Sequence, residues 1–290
     1  MVDLIFTPMA LTIGTQLYRY IQWLSIDVAL GACAGLYFFA HVLDLNLHWL
    51  FYLLMAMAVW SIYTLDHLLD AYQVKGIAST ERHRIHQDHS TLLRWVLIVV
   101  VITGLGLGFY LLHISLISIS ALVLGVLILA NLILLKYFFK KLSFLKEFNT
   151  ALFYTIGIMM VPYLMHMEES IHRGFWYLGI AFFGIAWMNL LILSLMDSDT
   201  DRVDGFRSIV TTLGEKRVEK LLFWLMIITL IYLFFLFWIL LSYYYIYISL
   251  LLIICIFHSQ VILENRSGNI KIRSALEATF LIPWLLLLYN

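Results

Sequence analysis

Two pairs of aspartates, Asp66/Asp70 and Asp197/Asp201, each spaced by four positions, close two long apolar stretches of the chain. On a helix this spacing sets both carboxylates of a pair on one face, about 6 Å apart along the axis. The second pair lies in LSLMDSDTDRVDGFRSIVTTLG, residues 193–214, where Asp197, Asp199, Asp201 and Asp204 are mixed with Arg202 and Arg207. A membrane helix ending on acids mixed with guanidinium groups is a poor lipid anchor and a good cation site. Two such pairs facing each other would hold Mg²⁺, which favours carboxylate oxygens, water and phosphate oxygens. The competing reading is a solvated helix end. A second pair at the same boundary weighs against it, because partly buried acids there are costly and are retained for function.

Other polar groups qualify the picture. His67 lies between the first two acids; imidazole suits zinc or iron, and the plainer reading is a boundary histidine bonded to backbone or headgroups. The segment 81–89, ERHRIHQDH, gathers Arg82, Arg84 and three imidazoles close to carboxylates. Arginine grips phosphate in fork geometry, so Arg82 and Arg84 are candidates for a diphosphate, as are Lys140, Lys141 and Lys146 in the next basic loop. Cationic loops also follow from membrane topology alone. Asp27 sits deep in an apolar run and must be paired, protonated or turned inward. Asn131, Asn149 and Asn189 either orient a substrate or bond helices together. Glu277 carries the same two readings.

These residues need long helices to position them. The chain has 290 residues, 63% hydrophobic and 12% charged, where soluble domains carry roughly 25% charged residues. Mean hydropathy is +0.94, which marks an integral membrane protein. Formal net charge is zero, so nothing electrostatic points to nucleic acid. Cys33 and Cys255 lie inside apolar runs and are expected to be small core residues. The N-terminus shows no cationic segment with a short apolar run and cleavage site, so no signal peptide is expected.

An all-α, polytopic fold over residues 1–290 is expected, one domain of nine transmembrane helices around a central cavity. The spans are roughly 18–41, 48–67, 92–113, 115–136, 147–166, 174–196, 218–241, 243–262 and 272–289. Ser242, Tyr243, Tyr244 and Tyr245 are expected to form the turn that divides 218–262. Alternate loops carry Lys75, Arg82, Arg84, Lys140, Lys141, Lys146, Arg202, Arg207, Lys216, Arg217, Arg266 and Lys271, whereas Arg173 stands nearly alone on the other side. The positive-inside rule then puts the N-terminus and the acid-bearing loops in the cytoplasm and Asn290 outside. Spans 1–4 and 5–8 have matching organisation, two four-helix units each with an acid-ended second helix, followed by a ninth helix.

The residues 197–214 resemble the second aspartate motif of the UbiA superfamily of intramembrane prenyltransferases. In that motif DxxxD is followed by Gly-x-Lys/Arg-Ser/Thr, here Gly205, Arg207 and Ser208, and six residues on by Gly, here Gly214. Tyr137, Lys140, Lys141 and Ser143 are similar to the family's Tyr-Pro-x-x-Lys-Arg-x-Thr segment, with Phe for Pro and one residue of slack. The first motif departs from the family's Asn-Asp-x-x-Asp-x-x-x-Asp. Asp66 and Asp70 take its last two acid positions, while Ile62 and Tyr63 stand at the leading Asn-Asp. Leu193 and Ser194 likewise replace the leading pair that the quinone-precursor branch has before its second motif.

The resemblance implies a Mg²⁺-dependent enzyme that ionises an isoprenyl diphosphate and passes the prenyl group to a lipophilic acceptor, aromatic or quinone-precursor in type, at a membrane-lipid boundary. Asp66, Asp70, Asp197 and Asp201 would carry the metal. Arg82, Arg84, Lys140, Lys141, Arg202 and Arg207 would bind diphosphate, and Asp27, Asn149 and Asn189 are candidates for polar cavity groups. A terpene cyclase on the same scaffold would ionise the same substrate and use an internal double bond as nucleophile. A cation transporter is the non-enzymatic alternative, although transporters place such acids near the membrane midplane. A CDP-alcohol phosphotransferase would need a D-G-x-x-A-R signature, which these loops lack.

Overall fold

The computed structural model describes residues 18–74, 76–138, 140–167, 172–264 and 270–289. The basic residues Lys75 and Arg266, the N-terminal residues 1–17 and Asn290 fall outside these, as do the side chains of Lys140 and Lys141. All regular structure among the described residues is helical. An apolar chain in lipid must satisfy its backbone within each segment, and helices do so.

The elements run α1 Ile26–Val42, α2 Trp49–Gln73, α3 Glu81–Asp88, α4 Ser90–Leu112, α5 Leu116–Ile133 and α6 Lys146–Met165. They continue with α7 Arg173–Met196, α8 Ser198–Asp204, α9 Ile209–Leu213, α10 Glu215–Ile239, α11 Tyr245–Leu263 and α12 Ile270–Thr279. A π-turn, Leu134–Phe138, prolongs α5. Short 3₁₀ turns at Lys140–Leu145, Ser242–Tyr244 and Ile282–Leu288 precede α6, precede α11 and follow α12.

Seven helices among the described residues are long and apolar enough to cross a membrane, fewer than the nine expected. The difference lies at the two ends of the chain. The expected first span breaks after a short helix at 18–23, because Ser25 takes φ 54°, and α1 that follows has only 17 residues. The expected ninth span is α12, ten residues long and amphipathic, then a turn and the final 3₁₀ segment. The expected turn at residues 242–245 is present as the Ser242–Tyr244 3₁₀ turn.

Burial sorts the helices into an inner and an outer set. α4 buries only Leu93 and α5 buries nothing, yet both are apolar all round. Helices of that kind face lipid. In contrast, α1 and α7 are buried on most faces. α1 packs on α2, α6, α12 and the last 3₁₀ segment, while α7 packs on α6, α10 and α11. The acid-ended helix α2 thus packs on α1 and the acid-ended α7 on α6, and α1 and α6 pack on each other.

Small residues let α1 approach its neighbours closely, since dispersion contact replaces the hydrophobic effect between helices in lipid. A Cβ added at Gly35 would lie 2.9 Å from Ile158 Cδ1 and 3.3 Å from Phe182 Cζ, both fully buried. Gly35→Val gains well under 1 kcal/mol of helix propensity and costs about 1–3 kcal/mol in overpacking. The expected result is a lower thermal midpoint in detergent, read by near-UV circular dichroism. An unchanged midpoint contradicts this packing.

Candidate functional site

The last two turns of α2 carry Asp66 and Asp70 on one face, as their spacing requires. Lys136 meets them from the π-turn that ends α5, where the widened turn re-aims the side chain. Its Nζ lies 2.6 Å from Asp70 Oδ1 and 3.1 Å from Asp66 Oδ1, and it donates to the Asp66 backbone carbonyl at 3.2 Å. Lys146 Nζ stands 3.5 Å from Asp66 Oδ2. One ammonium between two carboxylates, with a second behind it, performs in part the neutralisation a divalent cation gives.

Asp197 closes α7 and opens α8. The Asp201 N–H donates to the Asp197 carbonyl at 2.8 Å, so the turn is helical and the two carboxylates share a face. α8 ends at Gly205, whose φ of 77° suits a residue without Cβ, and the Phe206 N–H returns to the Asp201 carbonyl. Ser208 then starts α9 through a capping box with Thr211. The glycine and serine of the sequence motif are therefore the stop of one short helix and the start of the next. Arg273 of α12 holds Asp197 at 2.6 Å and reaches Glu277, one turn on, at 3.5 Å. Burial pushes the Asp201 carboxyl up to about 7; the charges of Asp197 and Asp70 add to this, and Lys146 and a hydrogen bond with Ser208 oppose it. This acid pair is short of positive charge.

The two pairs meet at the first turn of α6. Lys146 interacts electrostatically with Asp66, Asp70 and Asp201 together. Its neighbour Glu147 is buried and turns the other way. Glu147 Oε1 accepts from Ser194 Oγ at 3.1 Å and from the Ile209 N–H at 3.0 Å, groups that flank Asp197 and Asp201 in sequence. Two consecutive residues thus tie the tip of α2 to the α7–α9 segment. The helix N-terminus beneath them favours negative charge in the same place.

Arg82 points into this region and pairs with Glu277 at 3.4 Å. Glu277 also accepts from Gln22 Nε2 at 3.0 Å and lies within electrostatic reach of Asp27, which is buried. Arg84 is exposed and reaches the Ala78 carbonyl at 3.5 Å. Arg202 pairs with the exposed Asp199 at 3.6 Å, and Arg207 is exposed at the start of α9. Asp204 is a loop clasp, accepting from Ser79 Oγ at 2.7 Å. Asn149 donates to Asn131 at 2.8 Å, and Asn189 Oδ1 lies 3.3 Å from His258 Nε2, both contacts between helices. Burial pushes the His83 and His86 imidazoles down, against Asp70 in the first case and a hydrogen bond to the Arg82 carbonyl in the second, so both are neutral near pH 7.

Three groups at this site were not singled out in the sequence: Lys136, Glu147 and Arg273. Each is a charged residue within a few positions of an apolar run's end, and that placement was the available signal.

The sequence model of the UbiA prenyltransferase family matches residues 28–281, from α1 through the end of α12. The chain belongs to this family. Comparison with curated proteins and with solved structures gave no match. UbiA membership and the apolar helices make this a multi-pass integral membrane protein with an intramembrane prenyltransferase-type function. The matched region contains the carboxylates and cations from Asp66 to Glu277 and begins one residue after Asp27.

The donor set suits the metal expected from the UbiA resemblance. Four carboxylates offer hard oxygens, and the Asp197/Asp201 pair has a carboxyl that burial leaves poorly compensated. Lys136→Met tests the first pair. Removing a partner from a largely buried ion cluster costs about 3–5 kcal/mol, discounted somewhat because these side chains are 10–21% exposed. We expect a lower thermal midpoint for the variant in metal-free detergent and a larger upward shift on adding Mg²⁺ than the wild type shows. Equal Mg²⁺ shifts in the two proteins contradict the compensating role of Lys136.

Proposed function

We propose that this protein is a Mg²⁺-dependent intramembrane prenyltransferase that ionises an isoprenyl diphosphate and transfers the prenyl group to a lipophilic acceptor of aromatic or quinone-precursor type. The observation that carries the reading is the convergence of Asp66/Asp70 and Asp197/Asp201 on the Lys146–Glu147 turn. In this reading the four aspartates hold Mg²⁺, with the N-terminus and these helix tips on the cytoplasmic side. Bound there, Mg²⁺ acts as a Lewis acid on the diphosphate oxygens.

The chain's own groups supply the rest. Lys136, Lys146, Arg273 and Arg82 already point at the acids, and they exchange carboxylate for diphosphate oxygens when substrate enters. Arg84, Lys140, Lys141, Arg202 and Arg207 on the adjoining loops add a positive field that draws the head group in. As the allylic C–O bond breaks, its electron pair leaves with the diphosphate, and these fixed cations stabilise the charge where it develops. The prenyl tail lies toward the aromatic cluster of Tyr154, Phe182 and Phe280, with ring centroids 6.0–6.3 Å apart. Tyr154 sits eight residues into α6, about 12 Å deeper than Lys146. Such π faces stabilise an allylic cation until the acceptor's π electrons form the new bond and the acceptor loses a proton.

The changed first motif, with Ile62 and Tyr63 at its leading positions, favours one further reading, a cyclase in which the substrate's own double bond is the nucleophile. Acids at helix tips and not at mid-membrane weigh against the transporter.

Purified protein given C10, C15 or C20 diphosphates with Mg²⁺, with and without a membrane lipid extract, separates these readings by mass spectrometry. We expect a prenylated lipid only when extract is present. A cyclic hydrocarbon or alcohol formed without extract identifies the cyclase. Asp197→Ala is expected to stay folded and lose at least about 100-fold in turnover, the scale of removing one preorganised charge-stabilising group. Full activity of that variant overturns the assignment.

A further inference from the structure

Beside the aspartate cluster lies a group that the proposed reaction does not use. His67 and Asp70 of α2 and His83 of α3 present ligand atoms that all lie within 4.8 Å of one another. His67 is 8% exposed, and neither of its ring nitrogens has a hydrogen-bond partner. His83 Nδ1 is also buried and unpartnered. An imidazole buried without partners forfeits its hydration with no hydrogen bond in return. Nothing in the packing of α2 on α3 needs this, since an apolar side chain at position 67 would fill the same space.

From this geometry we infer a further metal site, formed by His67, Asp70 and His83, for a first-row divalent transition ion of the zinc or ferrous type. Two imidazoles and one carboxylate are the donor set such ions select, whereas Mg²⁺ takes oxygen. Three protein ligands leave further positions for water. The atoms must draw together, because ligand bonds of about 2.0–2.2 Å place donors closer than they now stand. His83 is on a short helix joined to α2 by a loop, so this contraction moves α3 and no membrane span. Asp70 has one oxygen on Lys136 and another to offer.

His86 completes the arrangement as a positioning residue. Its Nδ1 lies 2.9 Å from the Arg82 carbonyl and so carries the proton, which leaves the Nε2 lone pair buried and unpartnered. The His86 ring is 5.2 Å from that of His67, centroid to centroid. On the contraction that ligation requires, it can accept a hydrogen bond from the N–H that a ligating His67 carries on its other nitrogen, an outer bond that metal-bound histidines commonly make. The bound ion would staple α3 to α2 and so fix Arg82, one residue before His83, in its place against Glu277.

This site does not rest on the Mg²⁺ reading; the two share Asp70 and differ in every other ligand. The test uses the full, untagged chain, stripped of metal and titrated with Co²⁺ and with Zn²⁺ in the absence of Mg²⁺ and diphosphate. We expect saturable binding with visible ligand-field absorption for Co²⁺ and imidazole scattering in the zinc X-ray absorption spectrum. His67→Gln and His83→Gln should each weaken Co²⁺ binding by more than the 10–100-fold that loss of an outer bond costs, and Asp197→Ala should leave the cobalt spectrum intact. His83 is only partly buried, so its variant serves even where His67→Gln does not fold. Absence of saturable Co²⁺ binding by the folded wild type, an all-oxygen zinc shell, or full binding by His83→Gln overturns the proposal. None of these outcomes depends on turnover, so failure here is distinct from failure of the prenyl-transfer assay.

Discussion

Two adjacent side chains of opposite charge at the start of α6 hold the site together. Lys146 turns to the carboxylates of α2, and Glu147 turns to the N–H and hydroxyl groups that bracket the second acid pair. Both are committed to partners on other helices, so α2, α6 and the α7–α9 segment cannot move apart without leaving charge in a place of low dielectric. An unpaired charge there is more costly than the pair is beneficial. The arrangement therefore specifies geometry more than it adds stability. Among the described residues the lipid-facing helices α4 and α5 carry no comparable pair of buried charges; α5 is tied to α6 by the Asn149–Asn131 hydrogen bond and reaches the site through Lys136 at its end.

The acid pairs are also coupled outward. Arg273 links Asp197 to Glu277, and Glu277 collects Arg82, Gln22 and Asp27. The break in the first expected span now has a physical sense. Ser25 turns the chain by its left-handed backbone, so that Gln22 before the turn donates to Glu277 of α12 and Asp27 after it lies within that residue's electrostatic reach. The ends of the chain close around the acids through polar contacts, which an unbroken apolar helix in those places would not supply.

How much of this was legible in the sequence follows from which signals are local. Long apolar runs located α4, α5, α6, α7, α10 and α11 within a few residues, because a lipid-crossing helix needs one continuous stretch, while α2 runs on past its expected end at 67 to Gln73. The spacing of Asp197, Asp201, Gly205 and Ser208 was informative for a similar reason: each residue serves its own turn or cap. The shortening of the first and last spans was not legible. Hydropathy sums over a window and is indifferent to a single backbone reversal at Ser25. The partners of the acids were missed because pairing is tertiary. Lys136 falls at the last position of its expected span, and Glu147 and Arg273 at the first and second positions of theirs, where a charge is ordinary. Arg84 and Arg202 stood out for their proximity in sequence to acids, yet both side chains face away, to a loop carbonyl and to Asp199.

The central claim is that the tips of α2 and α7 act as one binding site. The most direct measurement is electron paramagnetic resonance of Mn²⁺, substituting for Mg²⁺, titrated into purified protein with a non-reacting prenyl thiolodiphosphate. The account predicts Mn²⁺ binding that is tightened by the diphosphate in the wild type and lost when either Asp66→Ala or Asp197→Ala is made. Diphosphate-coupled Mn²⁺ binding that survives one of these substitutions unchanged would mean that the two acid pairs do not hold a common anion, and the account would be contradicted.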